Sequence, residues 1–336
     1  MSDPHQDGKH NVVASLGPEG TDGLAITGHM DVMPTEGQPW TTDPFVLTTR
    51  GDRLVGRGSA DMKGFIACTL EALRRIPRDR LTRELLLLWT YDEEVGCLGS
   101  AHLVDHFRAD GRPTPRACLV GEPTDFQILR MHAGHESLRI TARGLAAHSS
   151  RPDLGVNAIE GAAAAVRVVQ ELALELASEP VDLPELERPV VAMNVGRIRG
   201  GTAINIVPDQ CVVELGYRPL PGQDAATVRD ELRRRLAALD GPWTLELERL
   251  HGIAALLTRP GTPLEDLLRP FAARPDVGAA GFATDGGNLA RMPMDPLVFG
   301  PGSIDVAHKA DEYVTRGALE RGADVVEQLI RARCLA

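Results

Sequence analysis

The stretch Glu84-Leu-Leu-Leu-Leu-Trp-Thr-Tyr-Asp-Glu-Glu94 is apolar through its middle and acidic at its end. A strand that is apolar on alternate residues covers one face of a sheet. A run that is apolar throughout is buried on both faces, which places it inside a layered α/β fold. Asp92, Glu93 and Glu94 repel one another unless protons or cations neutralise them, so three carboxylates at the mouth of a buried strand point to a metal site. In isolation an Asp-Glu-Glu sequence is more often a solvated acidic turn. The other strands decide which it is here.

With 336 residues the chain can bury a large core and form two domains. A net charge of -11 argues against nucleic acid and anionic membrane as main partners, since both need a basic surface. The five cysteines are odd in number, scattered and never spaced Cys-x-x-Cys. That fits reduced core thiols better than a disulfide framework or a zinc-thiolate site. The polar first ten residues contain no apolar signal core, and no apolar run is long enough to span a bilayer. A cytoplasmic enzyme is expected.

Gly23-Leu-Ala-Ile-Thr27 is a short apolar strand that delivers Gly28-His-Met-Asp31. Residues two apart on an extended segment point the same way, so His29 can hold a metal while Asp31 orients its ring. Asp61, in Ser59-Ala-Asp-Met-Lys-Gly64, precedes an apolar-periodic helix from Phe65 to Ile76. It reads either as a plain helix cap or as a metal-bridging carboxylate. Arg116 to Glu122 is another apolar strand ending in an acid, held extended by Pro123. His308 lies beyond the strand Pro296-Leu-Val-Phe-Gly300. Ligands of open α/β sheets bind beyond the carboxyl ends of the strands, so His29, Glu93, Glu94 and Glu122 are expected to converge.

From about His132 the pattern changes. Strand 136–143, helix 155–178, strands 190–198 and 211–217, helix 225–239 and strand 243–250 follow the β-α-β-β-α-β order of a ferredoxin-like split unit. The expected domains are a catalytic part over 1–132, an inserted domain over 133–250 and the rest of the catalytic domain over 251–336. Within the insert, His148 sits in a turn of small residues, and Asn205 and Arg218 offer an amide and a guanidinium suited to a substrate carboxylate. Plain solvation is the alternative for Arg218.

Two histidines and three carboxylates from five segments would bind two metal ions with one carboxylate bridging, and nitrogen and oxygen donors without cysteine favour zinc. A carboxylate left off the metals can take a proton from water. Glu93 and Glu94 point to opposite sides and can divide the two roles.

Gly28-His-Met-Asp-Val-Met-Pro34, Ser59 to Gly64, Asp92-Glu-Glu94, Gly121-Glu-Pro-Thr124, Gly144 to Asn157, and Gly300-Pro-Gly-Ser-Ile304 with Ala307-His308 together resemble the acetylornithine deacetylase and succinyl-diaminopimelate desuccinylase family of zinc metallohydrolases. The resemblance covers nearly the whole chain. It implies an α/β, zinc-exopeptidase-like catalytic domain with an inserted ferredoxin-like α+β lid and dimerisation domain. It implies His29, Asp61 and Glu122 at one zinc and Asp61, Glu94 and His308 at the other, with Asp61 bridging and cobalt able to substitute. Glu93 becomes the general acid/base, Asp31 the partner of His29, and His148 an oxyanion donor reaching across a homodimer. Asn205, Arg218, Thr284 and Gly302 become substrate contacts.

The implied reaction removes a small acyl group from an N-acyl amino acid, N-acetylornithine first, as in arginine biosynthesis. A desuccinylase, a dipeptidase or carboxypeptidase, or a biosynthetic deacylase is the alternative, since Thr284-Asp-Gly-Gly287 looks closer to those branches. Family members carry a longer segment, with a helix and an edge strand, before the His-x-Asp strand; 28 residues precede His29 here. A misassigned start or a short form with an exposed sheet edge would each explain this. A non-catalytic binding protein is the rival expectation.

Overall fold

The computed structural model describes residues 8–335. They form two compact units, one made of the chain up to His132 and from Leu256 onward, the other of Ala133–Ala255. The first unit opens with β1 (Val12–Leu16), β2 (Leu24–His29), β3 (Thr48–Arg50), β4 (Arg53–Val55), α1 (Lys63–Arg75), β5 (Leu85–Thr90), α2 (Leu98–Asp110), β6 (Ala117–Val120) and β7 (Leu129–His132). The inserted unit holds β8 (His135–Arg143), β9 (Ala147–His148), α3 (Ala158–Ala177), β10 (Ala192–Gly200), β11 (Ile206–Val207), β12 (Gln210–Arg218), α4 (Ala225–Ala237) and β13 (Thr244–Ile253). The first unit resumes with β14 (Leu256–Leu257), α5 (Pro263–Leu268), β15 (Gly278–Ala280), α6 (Asp285–Leu289), β16 (Asp295–Val298), β17 (Tyr313–Thr315) and α7 (Arg316–Cys334).

Eight strands of the first unit make a mixed sheet ordered β1-β5-β2-β6-β16-β7-β14, with β15 also on β7. Its centre, β5-β2-β6-β16, is parallel, and β1 lies antiparallel on β5 at one edge. The leucine run explains this placement. Leu85, Leu87 and Trp89 pack with Leu24 and Ile26 against α1 and α7, while Leu86 and Leu88 pack with Ala25 against Leu103, Val104 and Phe107 of α2. Each such side chain removed from water contributes about 1.5–3 kcal/mol, so the run belongs at the sheet centre. α5 stops at Leu268 and a 3-10 turn, Arg269–Phe271, follows, because Pro270 has no N–H to continue the ladder.

The inserted unit is a four-stranded antiparallel sheet, β10-β12-β8-β13. Leu138, Ile140 and Ala142 of β8 and Val213, Leu215 and Tyr217 of β12 face α3 and α4. The opposite face carries charged pairs such as Arg139–Glu214 and Arg143–Glu246. The expected boundary at 250 falls inside a strand. β13 stays paired with β8 through Ile253 and His135, so the unit runs on to Ala255.

Candidate metal centre

Three neighbouring parallel strands end side by side, and chemistry follows each end: His29 closes β2, Asp92-Glu-Glu94 follows β5, and Glu122 follows β6. Asp61 arrives on the turn before α1. Met62 takes the N-cap position and no side chain caps the helix, which removes the plain-cap reading of Asp61. Its Oδ1 lies 2.9 Å from His29 Nε2, and its Oδ2 lies 3.1 Å from His308 Nε2. His308 Nε2 also meets Glu94 Oε2 at 2.9 Å. One donor atom each from His29, Asp61 and Glu94 lie within 4.8 Å of one another.

Asp31 ties the acidic loop to the end of β2. Its carboxylate accepts from the backbone N–H of Glu93 at 3.2 Å and of Glu94 at 3.1 Å, and lies 3.6 Å from His29 Nδ1. His29 Nδ1 also lies 3.1 Å from the Asp31 carbonyl and donates to it. With Nδ1–H committed to that carbonyl, Nε2, the atom facing Asp61, is the nitrogen that a cation would take on displacing its proton.

The charges explain why a cation belongs here. Burial pushes Glu93 up to about 8, and Asp285, Asp61 and Glu94 add repulsion against the pull of His29. Glu122 is raised in the same way, by burial first and then by Asp61. His308 is raised to about 10 by its bonds to Asp61 and Glu94. Burial works against a charged His29, yet Asp31 and Asp61 hold it well above its ordinary value. Asp61 itself, despite burial, is kept well below the carboxylate range by the two histidines. Protons therefore do the neutralising: both imidazoles are held charged around an ionised Asp61, while Glu93 and Glu122 are pushed toward neutrality. Imidazole nitrogens and carboxylate oxygens crowded in this way, with no thiolate among them, are the donor set a divalent ion takes.

Three contributors carried no clear signal in the sequence. Cys97, buried with a left-handed backbone, donates its Sγ–H to Glu93 Oε1 at 3.5 Å. Asp285 is buried and accepts from Thr90 Oγ1 at 2.5 Å. Glu312 accepts from the backbone N–H of Ala60 and Asp61. In the sequence the cysteine reads as a core thiol, and nothing local marks Asp285 inside Thr284-Asp-Gly-Gly287.

Thr284 requires a correction. It is fully buried, its hydroxyl accepts from Gly286 N as the N-cap of α6 and pairs with His132 Nε2, so it does not face a substrate. The helix start it caps needs that oxygen. Gly302 has φ +85°, and an added Cβ would come within 3.3 Å of Ala60, so glycine permits the close approach beside Asp61.

In the inserted unit, pairing of β9 with β11 sets His148 opposite Ile206, and the Asn205 carbonyl accepts from Ser149 N at 2.9 Å. His148 is exposed, and its Nδ1 accepts from Ser150 N at 3.2 Å, which places the ring proton on Nε2. Arg218 closes β12 with its side chain exposed.

A family profile described as peptidase family M20/M25/M40 matches residues 25–332. Acetylornithine deacetylase of Proteus mirabilis is 36% identical over 340 residues, covering 99% of this chain and 85% of that protein. The enzyme of the same name from Photorhabdus laumondii is 34% identical over 336 residues, with the same two coverages of 99% and 85%. Among solved structures, an M20 family metallo-carboxypeptidase of Sulfolobus solfataricus superposes with a TM-score of 0.72 at 17% identity, covering 96% of this chain and 87% of that one. A dinuclear metal-binding peptidase of Bacillus subtilis gives 0.67 at 15% identity, covering 96% and 85%. The solved structures show a shared fold, and the sequence match shows descent: the chain is a hydrolase acting on amide bonds that belongs to the metal-dependent peptidase family M20/M25/M40.

Proposed function

We propose that the chain is a dinuclear zinc deacylase that converts N-acetylornithine to ornithine and acetate, the ornithine supply that arginine biosynthesis needs. The observation that carries the dinuclear centre is Asp61, whose two oxygens each face a different histidine. His29, Asp61 and Glu122 would hold one ion, and Asp61, Glu94 and His308 the other; cobalt suits the same donors. When bound, such ions acidify water and polarise an acyl carbonyl. The substrate assignment rests on the curated relatives named acetylornithine deacetylase.

Glu93 is kept out of this ligand set. Beside the proposed ions, Glu93 as a carboxylate would take a proton from the attacking water and return it to the leaving amine. The Cys97 thiol steadies its Oε1. His148 Nε2–H serves as the donor to the developing oxyanion, offered to the site of the partner in a homodimer. The inserted unit exposes Leu145 and Leu154 on either side of His148 in sequence and Ile206 opposite it across the β9–β11 pair, apolar side chains that favour a second copy as their cover. Asn205 and Arg218 receive the substrate carboxylate, and the backbone at Gly302 lines the acyl side. The inserted unit thus serves as lid and dimerisation domain to a two-part catalytic domain. All five cysteines are free and buried, and no helix among the described residues is long and apolar enough to cross a membrane, which together suit a reducing cytoplasm.

The test offers chelator-stripped and zinc- or cobalt-reloaded protein N-acetylornithine, an N-succinyl-diaminopimelate and a set of dipeptides, and follows amine release. Metal-dependent release is expected from N-acetylornithine ahead of the others. Preference for a succinyl or peptide substrate would move the assignment within the family, and release that survives stripping would remove the metals from the reaction.

A further inference from the structure

The loops carrying Asp61 and His308 are joined by side chains that lie outside the ligand set. Glu312 is 1% exposed and uses both carboxylate oxygens. Its Oε1 accepts from the backbone N–H of Ala60 at 2.9 Å and of Asp61 at 3.0 Å, and its Oε2 accepts from Arg57 Nη1 at 2.6 Å. Arg57 Nη2 donates to Gln38 Oε1 at 2.6 Å, and Gln38 Nε2 donates to the carbonyl of His308 at 3.1 Å. An unbroken series of hydrogen bonds therefore begins at the backbone of Asp61 and ends at the backbone of His308. Trp40 braces its middle, with its ring 5.2 Å from the Arg57 guanidinium and its Nε1–H on the same Gln38 oxygen at 3.0 Å.

Joining two loops does not require a buried ion pair, since apolar side chains of like volume hold as well or better. Direction is what the pair adds. A carboxylate accepting from two consecutive peptide N–H groups fixes both peptide planes, and with them the direction in which the Asp61 side chain leaves the backbone. At the far end, His308 has φ +61°, a left-handed conformation that a residue other than glycine keeps only where its surroundings impose it. The Gln38 bond to its carbonyl is one such constraint.

Given the dinuclear centre proposed above, we propose that Glu312, Arg57 and Gln38 form a positioning clamp that presets Asp61 against His308 and thereby sets the affinity of the ion those two residues share with Glu94. Residues that orient ligands in this way change metal affinity by about 10- to 100-fold when removed.

The test titrates stripped protein with Co2+ against a chromophoric chelator and records the visible absorption of the bound ions, in the parent and in Gln38→Ala, Glu312→Gln and Glu312→Ala. Gln38 is half-buried on a loop, so its truncation leaves the core intact. Gln38→Ala is expected to weaken the second cobalt ion by about 10-fold or more and to alter its visible bands, with the first ion close to the parent. Glu312→Gln retains an oxygen for the two N–H groups and is expected to keep more of that affinity than Glu312→Ala. Parental affinities and spectra in folded Gln38→Ala and Glu312→Gln would overturn the clamp while leaving the dinuclear centre standing. A parent chain that takes up no cobalt would overturn both.

Discussion

The two sheets of this protein use the same charged residue types in opposite ways. In the catalytic unit the sheet is covered on both faces, and its charges collect where the strands end: Asp61, Glu122 and His29 are each no more than 5% exposed. In the inserted unit one face is covered by helices, and the charges spread over the other as solvated pairs such as Arg143–Glu246, whose side chains are 53% and 62% exposed. Exposed pairs of that kind contribute about 0–1 kcal/mol and perturb little. Buried acids beside imidazoles shift one another's proton affinity strongly, and a divalent cation relieves such crowding. What separates chemistry from solvation here is which face the helices leave open.

His148 is the residue of the inserted unit proposed to act at the developing oxyanion, and it sharpens the division most. His148→Ala is expected to lower kcat by about 10²- to 10³-fold with metal content unchanged, read by steady-state kinetics and metal analysis. An equal loss of bound metal would place it in the centre rather than at the oxyanion.

Leu86 in β5 should show the two-sided burial of the catalytic sheet. Leu86→Ala is expected to cost about 2–5 kcal/mol in denaturant unfolding, measured on the catalytic unit's transition.

The charged centre should also make the metal-free protein sensitive to pH. His308, at about 10 in the fold against 6.5 ordinarily, and Glu93, at about 8 against 4.5, both hold protons that the unfolded chain releases. A state that binds more protons when folded loses stability as pH rises. The His308 contribution is fully present below about pH 6.5 and is lost as pH rises through about 10. Thermal melts of stripped protein should therefore fall across that window, and metal-loaded protein should stay flatter, because binding has already displaced those protons. A stripped protein whose melting is constant from pH 6.5 to 10 would contradict the charge assignment.

Arg143→Ala, on the open face of the inserted sheet, gives the smallest expected effect: within about 0.5 kcal/mol, with kinetics unaltered. A large loss there would mean that the exposed face is covered in the working protein.

Strand ends were legible in the sequence because burial on both faces leaves a continuous apolar run, and a run that stops at an acid or a histidine marks a place where the sheet meets open space. His29, Asp61, Glu94 and His308 followed from that rule together with the motif resemblance, and the geometry brings these four together. Glu312 did not follow. Its role depends on peptide N–H groups some 250 residues away in the chain, at Ala60 and Asp61, and no local pattern encodes such a partner. Cys97 escaped notice because a thiol in an apolar neighbourhood reads as core, and only the turn after β5 folds it onto Glu93. Thr284 misled for the opposite reason: a hydroxyl before Asp-Gly-Gly looks poised for a ligand, whereas the short helix behind it claims that oxygen as its cap.

The central claim is that adjacent acids after one strand divide the labour, Glu94 holding metal and Glu93 moving the proton. The most direct measurement compares Glu93→Gln with the parent for bound metal and for amine release from N-acetylornithine. The variant is expected to keep both metal ions while turnover falls by about 10²- to 10⁴-fold. Parental turnover, or loss of metal along with activity, would contradict that division.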